Sequence, residues 1–229
     1  MNDQRHVNSS LSPLVFAGSY EDAIGIEEIT WLVKPSTRRS PPGQSGFELR
    51  TTIRGAVFWG YSFDGLEAED HALAASRGFH DGDLSSCVLS GDLPCVVDQR
   101  GTRATVAIRF RLALPSRDPG RPDNVSFSFS MSDQRYEVAD ESFEGGVLGI
   151  ARLLSPATRL ICCATCLFSD YSPGGRELLG MRCHRNAKQQ YLAARSKAEY
   201  WHIPVTEEVM ETHYCDDFQH RVPGTGYRG

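Results

Sequence analysis

The residues with the clearest chemistry are four cysteines. Cys163 and Cys166 form a Cys-x-x-Cys pair, sixteen residues separate Cys166 from Cys183, and thirty-one separate Cys183 from Cys215. A Cys-x-x-Cys turn points two thiolates at one ion, and two more from distant segments complete a tetrahedron at about 2.3 Å. The expected metal ligands are therefore Cys163, Cys166, Cys183 and Cys215. Zinc is the expected cofactor; four thiolates equally hold an iron–sulfur cluster, and spacing does not separate the two. Structural zinc has all four positions filled by protein, whereas catalytic zinc keeps one open. Four cysteines therefore argue against a zinc hydrolase. The competing readings are small buried hydrophobes and a redox dithiol. A thioredoxin-like pair should open a helix, but Ser172-Pro173-Gly174-Gly175 follows here and favours a loop.

Neighbouring residues qualify this set. Cys162, on a strand, should face away from Cys163 and join the core. His184 and His213 are alternative ligands, with a supporting or purely structural role expected. Cys87 and Cys95 read as core or strand positions. Weaker chemistry lies elsewhere. Cys183-His184 is an awkward catalytic pair, because sequence neighbours rarely bond side chain to side chain. Gly60-Tyr-Ser62-Phe-Asp64-Gly65 lacks the context of a nucleophile elbow. His80-Asp81-Gly82-Asp83 is what turns use. An enzyme site in the β region would draw on Asp64, His80 or Asp81. The Gly224-Thr-Gly-Tyr-Arg228 tail offers backbone N–H groups to an anion but reads first as a loop. Phe58, Trp59, Tyr61 and Phe63 suit core packing or a hairpin; an exposed ridge of them would suit a partner.

The elements that must carry these residues show two periods. Alternation with period 2 runs through Ile29–Val33, Phe47–Ile53, Val106–Leu114 and Val125–Met131, with a further strand or hairpin at Leu84–Val97. Such alternation marks half-buried antiparallel strands. Helices are expected at Leu66–Arg77, turning in from Asp64-Gly65, at Phe143–Leu154, stopped by Pro156, and at Ala187–Trp201, capped by Asn186. A short strand, Arg159–Cys163, leads into the cysteines. The expected fold class is α+β. Residues 1–140 form an antiparallel β-rich domain, and residues 141–229 a helix plus a small four-cysteine metal-bound α/β module. Pro35–Ser45 and Pro115–Asp123 read as loops.

Composition bounds the function. The 229 residues are 40% hydrophobic and 23% charged, with a formal charge of −5. Residues 1–150 carry 14 basic against 21 acidic side chains and residues 151–229 carry 10 against 8, so neither part has the basic footprint of a nucleic-acid binder. No apolar run approaches the length of a membrane span. The polar opening residues do not read as a secretory signal. Seven cysteines without an export signal imply a reducing compartment, and a cytoplasmic location is expected.

The segments Cys163-Ala-Thr-Cys166-Leu-Phe-Ser-Asp-Tyr-Ser-Pro173, Gly180-Met-Arg-Cys183-His-Arg-Asn186, Arg195-Ser-Lys-Ala198, Glu211-Thr-His-Tyr-Cys215 and Pro223-Gly-Thr-Gly-Tyr-Arg-Gly229 resemble an uncharacterised bacterial family of unknown function. That family is frequent in actinobacteria. The resemblance extends upstream to Ile53-Arg-Gly55 and Ser62-Phe-Asp-Gly-Leu66. It implies a bacterial, cytoplasmic protein with a four-cysteine module behind a β-rich domain, and brings no activity. The expected function is non-enzymatic binding of another protein, as a regulatory or immunity-like partner. The alternatives are an enzyme with its site in the β domain, or an iron–sulfur or redox sensor.

Overall fold

A computed structural model describes residues 13–36, 46–80, 82–115, 124–131, 134–172 and 180–225. Its main body is a ten-stranded antiparallel sheet. The strands are β1 (Leu14–Asp22), β2 (Gly25–Pro35), β3 (Phe47–Ile53), β4 (Ala56–Gly60), β5 (Glu67–Ala68), β6 (Cys87–Gln99), β7 (Thr102–Leu114), β8 (Asn124–Met131), β9 (Gln134–Asp140) and β10 (Thr158–Leu160). Their order is β5-β4-β3-β2-β1-β6-β7-β8-β9, with β10 also paired to β6. Chain neighbours pair with one another except at β1–β6 and β10–β6. Both exceptions use one edge of β6: β1 lies along Val88–Gly91 and β10 along Val97–Gln99. The thirteen residues of β6 provide length for both.

The period-2 pattern is realised. Ile29, Trp31 and Val33, then Ile108, Phe110, Leu112 and Leu114, and Val125, Phe127 and Phe129 are buried, while Arg109 and Arg111 stay exposed. Phe63, in the turn after β4, sits among the core rings. It lies edge-on to Trp31 at 5.0 Å, 4.6 Å from Phe110 and stacked on Phe143 at 6.0 Å. Phe143 opens α2 (Phe143–Leu153), whose first turn is closed by the Ser142 side chain accepting from the Gly145 amide. This helix lies across β8 and β9.

Two expected helices are redrawn by their caps. In Leu66–Arg77 only α1 (His71–Ser76) is helical, and its cap is Asp70, which accepts from the Leu73 amide. Ala68, one of the presumed helix formers, pairs instead with Phe58, so sheet pairing outweighs propensity. Asp64-Gly65 forms only a tight turn, its Gly65 amide donating to the Ser62 carbonyl at 3.3 Å. Ala187–Trp201 is two helices, α3 (Lys188–Ala193) and α4 (Lys197–Tyr200), and Asn186 caps neither. The break is local. Ser196 accepts from the Glu199 amide, and the Glu199 carboxylate accepts from the Arg195 amide at 2.7 Å. This is a capping-box sequence restarting the helix.

The later chain adds a three-stranded antiparallel sheet, β11 (Ser169–Asp170), β12 (Met181–Cys183) and β13 (Glu207–Val209), in the order β11-β12-β13. The core of the large sheet continues into it through Tyr171, Met181, Cys183 and Val209. A satellite cluster joins Cys166 and Phe168 to Tyr191, Tyr200 and Ile203. Among the described residues no helix is long and apolar enough to cross a membrane.

Gly146 in α2 faces Phe127 so closely that an added methyl would drive into the ring. Helix propensity alone favours Gly146→Ala by about 1 kcal/mol. Overpacking of this kind costs about 1–3 kcal/mol. Denaturant unfolding should therefore find Gly146→Ala less stable than the parent, and a rise in the midpoint would contradict the packing described.

Candidate metal centre

The first cysteine pair sits where β10 hands over to the small sheet. After Leu160 the chain keeps one more bond to β6, from the Ile161 amide to the Val96 carbonyl at 2.9 Å, and then turns. The expected strand thus stops at Leu160, and Cys163 opens a 3-10 turn, Cys163–Thr165. Thr165 accounts for the turn, because its hydroxyl donates back to the Leu160 carbonyl at 2.9 Å. Such local side-chain bonds compete with strand continuation.

Backbone bonds draw the distant segments to this turn. The Cys163 amide donates to the His213 carbonyl at 2.7 Å and the Ala164 amide to the Glu211 carbonyl at 2.9 Å. On the other side of Cys215, the Leu167 amide donates to the Gln219 carbonyl and the Arg221 amide to the Thr165 carbonyl. The turn is therefore clasped by both arms flanking Cys215. Cys183 ends β12, where it pairs with Ser169 and with Glu207.

Cys163, Cys166 and Cys183 are buried, and Cys215 is half-buried. Burial pushes the Cys163 thiol well up, and Cys166, Cys183, Cys162 and Cys215 add their repulsion to its charged form. Burial also raises Cys183, opposed by Arg185 and reinforced by Cys215 and Cys166. The four cysteines thus share one electrostatic neighbourhood. Two donors already address its sulfurs: the Phe168 amide reaches Cys166 Sγ at 3.5 Å, and Arg185 Nη1 reaches Cys183 Sγ at 3.8 Å while ion-paired to Glu207. As the side chains lie, no group of three or more His, Cys, Asp or Glu among the described residues is gathered closely enough to hold an ion.

Cys162 shares this neighbourhood, fully buried with its sulfur beside the Thr165 hydroxyl, whereas Cys87 and Cys95 are buried in β6. His184 is fully buried with both ring nitrogens engaged. Its Nδ1 donates to the Pro204 carbonyl at 3.0 Å, so Nε2 is left to accept from the Tyr200 hydroxyl at 2.8 Å. Burial lowers its pKa to about 4, which keeps it neutral. The ring also stacks on Tyr191, whose hydroxyl donates to the buried Asp170. This polar brace escaped the sequence reading, since residues 170, 184, 191 and 200 share no single periodicity. His213 contributes its backbone carbonyl, as above, and its partly buried ring has a lowered pKa, chiefly through burial. Asp64 and His80 are exposed, while Asp81 lies outside the described residues. Phe58 and Phe63 are core, and Trp59 meets Tyr61 edge-on at 5.9 Å. Of the glycine-rich tail, residues beyond Thr225 lie outside the described residues.

Comparison with known proteins places the chain in a family. The model of a family described as a family of unknown function (DUF6304) matches residues 14–169. That span takes in the ten-stranded sheet, α2 and the first cysteine pair, and stops short of Cys183 and Cys215. No curated protein and no solved structure matches.

Behind the cysteine turn Glu211 is fully buried. Its Oε1 accepts from the Tyr171 hydroxyl at 2.9 Å, while Oε2 meets no donor among the described residues. Burial lifts this carboxyl to about 7; Glu144 adds to the rise, and backbone amides and Tyr171 oppose it. A folded-state pKa above the usual carboxylate value means that the folded form holds the extra proton. The associated stability is present below the ordinary carboxyl pKa and is lost as pH rises through about 7. Urea unfolding at pH 5, 6.5 and 8 should show the parent losing on the order of 1–3 kcal/mol relative to Glu211→Gln across that range. Parallel stability profiles for the two proteins would refute this assignment.

Proposed function

We propose a non-enzymatic binding role for this chain, which belongs to the family of unknown function DUF6304, with its C-terminal part stapled by one zinc ion on Cys163, Cys166, Cys183 and Cys215. The observation that carries the metal reading is the convergence of the cysteine-bearing segments: the Cys163–Thr165 turn bonds residues on both sides of Cys215, and the end of β12 at Cys183 pairs with Ser169, just after Cys166. These segments lie up to 52 positions apart in the chain. The Phe168 amide and the Arg185 guanidinium beside two of the sulfurs are the kind of donors that stabilise thiolate ligands. His184 is the weaker alternative, because it has neither ring nitrogen free.

A zinc ion held by four thiolates has no open position for substrate or water. It would act as a fastening, linking the turn after β10, the end of β12 and the arm around Cys215. Apparent binding energies of structural zinc are on the order of 10–16 kcal/mol and become folding energy. A small sheet of two- and three-residue strands has much to gain from such a link. A bacterial cytoplasm, as the resemblance implies, would keep the thiols reduced and ready to bind metal.

The partner we favour is another protein with a basic surface. The first 150 residues carry the excess of acidic side chains, which would steer such a partner toward the large sheet. The exposed positions of Asp64 and His80 favour this reading over an enzyme site built on them.

Purified protein should contain about one zinc per chain by elemental analysis. Cys163→Ser, Cys166→Ser, Cys183→Ser and Cys215→Ser should each lose most of it, and Cys162→Ser and Cys87→Ser should keep it. A brown protein with visible absorbance after anaerobic purification would replace zinc by an iron–sulfur cluster. Metal-free protein with the parent's stability would end the metal reading altogether.

A further inference from the structure

A cleft of about 540 Å³ opens where the tip of the β6–β7 hairpin, β10 and the arm after Cys215 converge. Its size lies within the range of small-molecule sites. The lining carries Arg100, Arg103, Arg159 and His220 against a single carboxylate, Asp98. Sheet register explains the concentration. Arg159 on β10 and Arg103 on β7 both stand opposite Asp98 on β6, so three charged residues form a row across adjacent strands. Asp98 is engaged with the hairpin turn, accepting from the Gly101 amide at 2.8 Å. Arg103 bonds the Tyr214 hydroxyl and lies 3.8 Å from Asp216. Among the described residues, the Arg100 and Arg159 guanidinium groups have no carboxylate partner.

Arg100 has an internal control. The two-residue hairpin turns Arg54-Gly55 and Arg100-Gly101 share one conformation, with φ of 51° and 78° in the first and 53° and 86° in the second. Asparagine and glycine are the usual residues at such positive-φ positions, and arginine is disfavoured there. At Arg54 local contacts repay the conformational cost. Its guanidinium bonds Asp22 at 2.6 Å and lies over the Tyr20 and Phe79 rings. At Arg100 the backbone amide bonds the Ala157 carbonyl, extending the β6–β10 ladder, while the side chain lines the opening. Residues held in such sparsely populated conformations cluster at ligand sites, and among the described residues no side-chain hydrogen bond or ion pair of Arg100 offsets the cost.

The remaining walls are apolar. Pro156, Ala157 and Ile161 lie with Phe218, whose ring is set edge-on to His220 at 4.8 Å. Burial and the nearby Arg159 lower the pKa of His220, with Asp98 opposing. We propose that this cleft binds a phosphorylated small molecule of nucleoside-diphosphate size, with its phosphates between Arg100 and Arg159 and a flat ring against Phe218. Guanidinium forks pair bidentately with phosphate oxygens. The protein as a whole is acidic, at −5, which disfavours a nucleic-acid strand as the occupant.

The inference goes beyond the zinc-stapled binding role and leans on it at one wall, since Phe218 and His220 follow Cys215. Calorimetry on the full chain, with metal content measured on the same samples, separates the two. ADP should bind more tightly than pyrophosphate, and citrate should bind more weakly than either. Arg100→Gln and Arg159→Gln should each weaken ADP by about tenfold, or roughly 1.4 kcal/mol, at unchanged metal content and melting temperature. Arg109→Gln, which removes an outer-face pair with Asp92, should bind as the parent does. Absence of ADP binding at millimolar concentration, equal binding by the parent and both cleft variants, citrate matching pyrophosphate, or a single-stranded oligonucleotide outcompeting ADP would each overturn the proposal. ADP binding by metal-free parent protein would sustain it while removing the zinc reading.

Discussion

The long strand β6 is the member on which the rest of the molecule is hung. One edge of it is fully paired with β7, and the other is divided between β1 and β10. The β1 contact joins the two hairpin-built halves of the sheet into one surface with a continuous core. The β10 contact brings the chain back after α2 and sets the point where the cysteine turn begins. Shorten β6 by a few residues and β10 loses its place, along with the turn, the small sheet and the cleft beside it. A single run of backbone hydrogen bonds thus couples the large apolar interior to the polar and sulfur-rich region at one end. Antiparallel pairing suits such a role, because each partner can occupy a separate stretch of the same edge.

Much of this architecture was legible in the residues, for a physical reason. Sheets with one wet face impose strict alternation, and β2, β7 and β8 wrote it plainly through Trp31, Phe110 and Phe127 with their flanking polar neighbours. The helix at Phe143 was equally clear, since its apolar side and Pro156 bound it at both ends. The misreadings occurred where a single side-chain bond outweighed a composition signal. Asp70 starts a helix later than the run of helix formers implied, Ser196 restarts one after a break inside its expected span, and Thr165 ends a strand early. Propensity is summed over many residues, whereas a cap acts at one position. A one-residue device is easily hidden inside a favourable window.

The candidate site was legible only in part. Its donor types and spacing stood out, because cysteine is rare and the Cys-x-x-Cys interval has a direct geometric meaning. The braces around it did not. His184 meets Tyr200 and Tyr191 through packing of α3 and α4 against the small sheet, and Asp170 joins from β11. The cleft was equally silent. Arg100, Arg103 and Arg159 look like scattered surface charges until the register of β10, β6 and β7 sets Arg159 and Arg103 on either side of Asp98. A pairing between strands far apart in the chain leaves no local mark on the sequence.

The clasp around the cysteine turn also orders events in time. Its partners at residues 211–213 and 219–221 are synthesised some 48 to 58 residues after Cys163 itself. At about 5–20 residues per second, a ribosome needs several seconds to cover that distance. Until those partners arrive, the turn at Cys163 and Cys166 lacks the backbone bonds that clasp it, while the large sheet upstream already has most of its strands. The sulfur-rich turn therefore closes after the sheet it grows from, and a thiol modified before that stage would obstruct the closure.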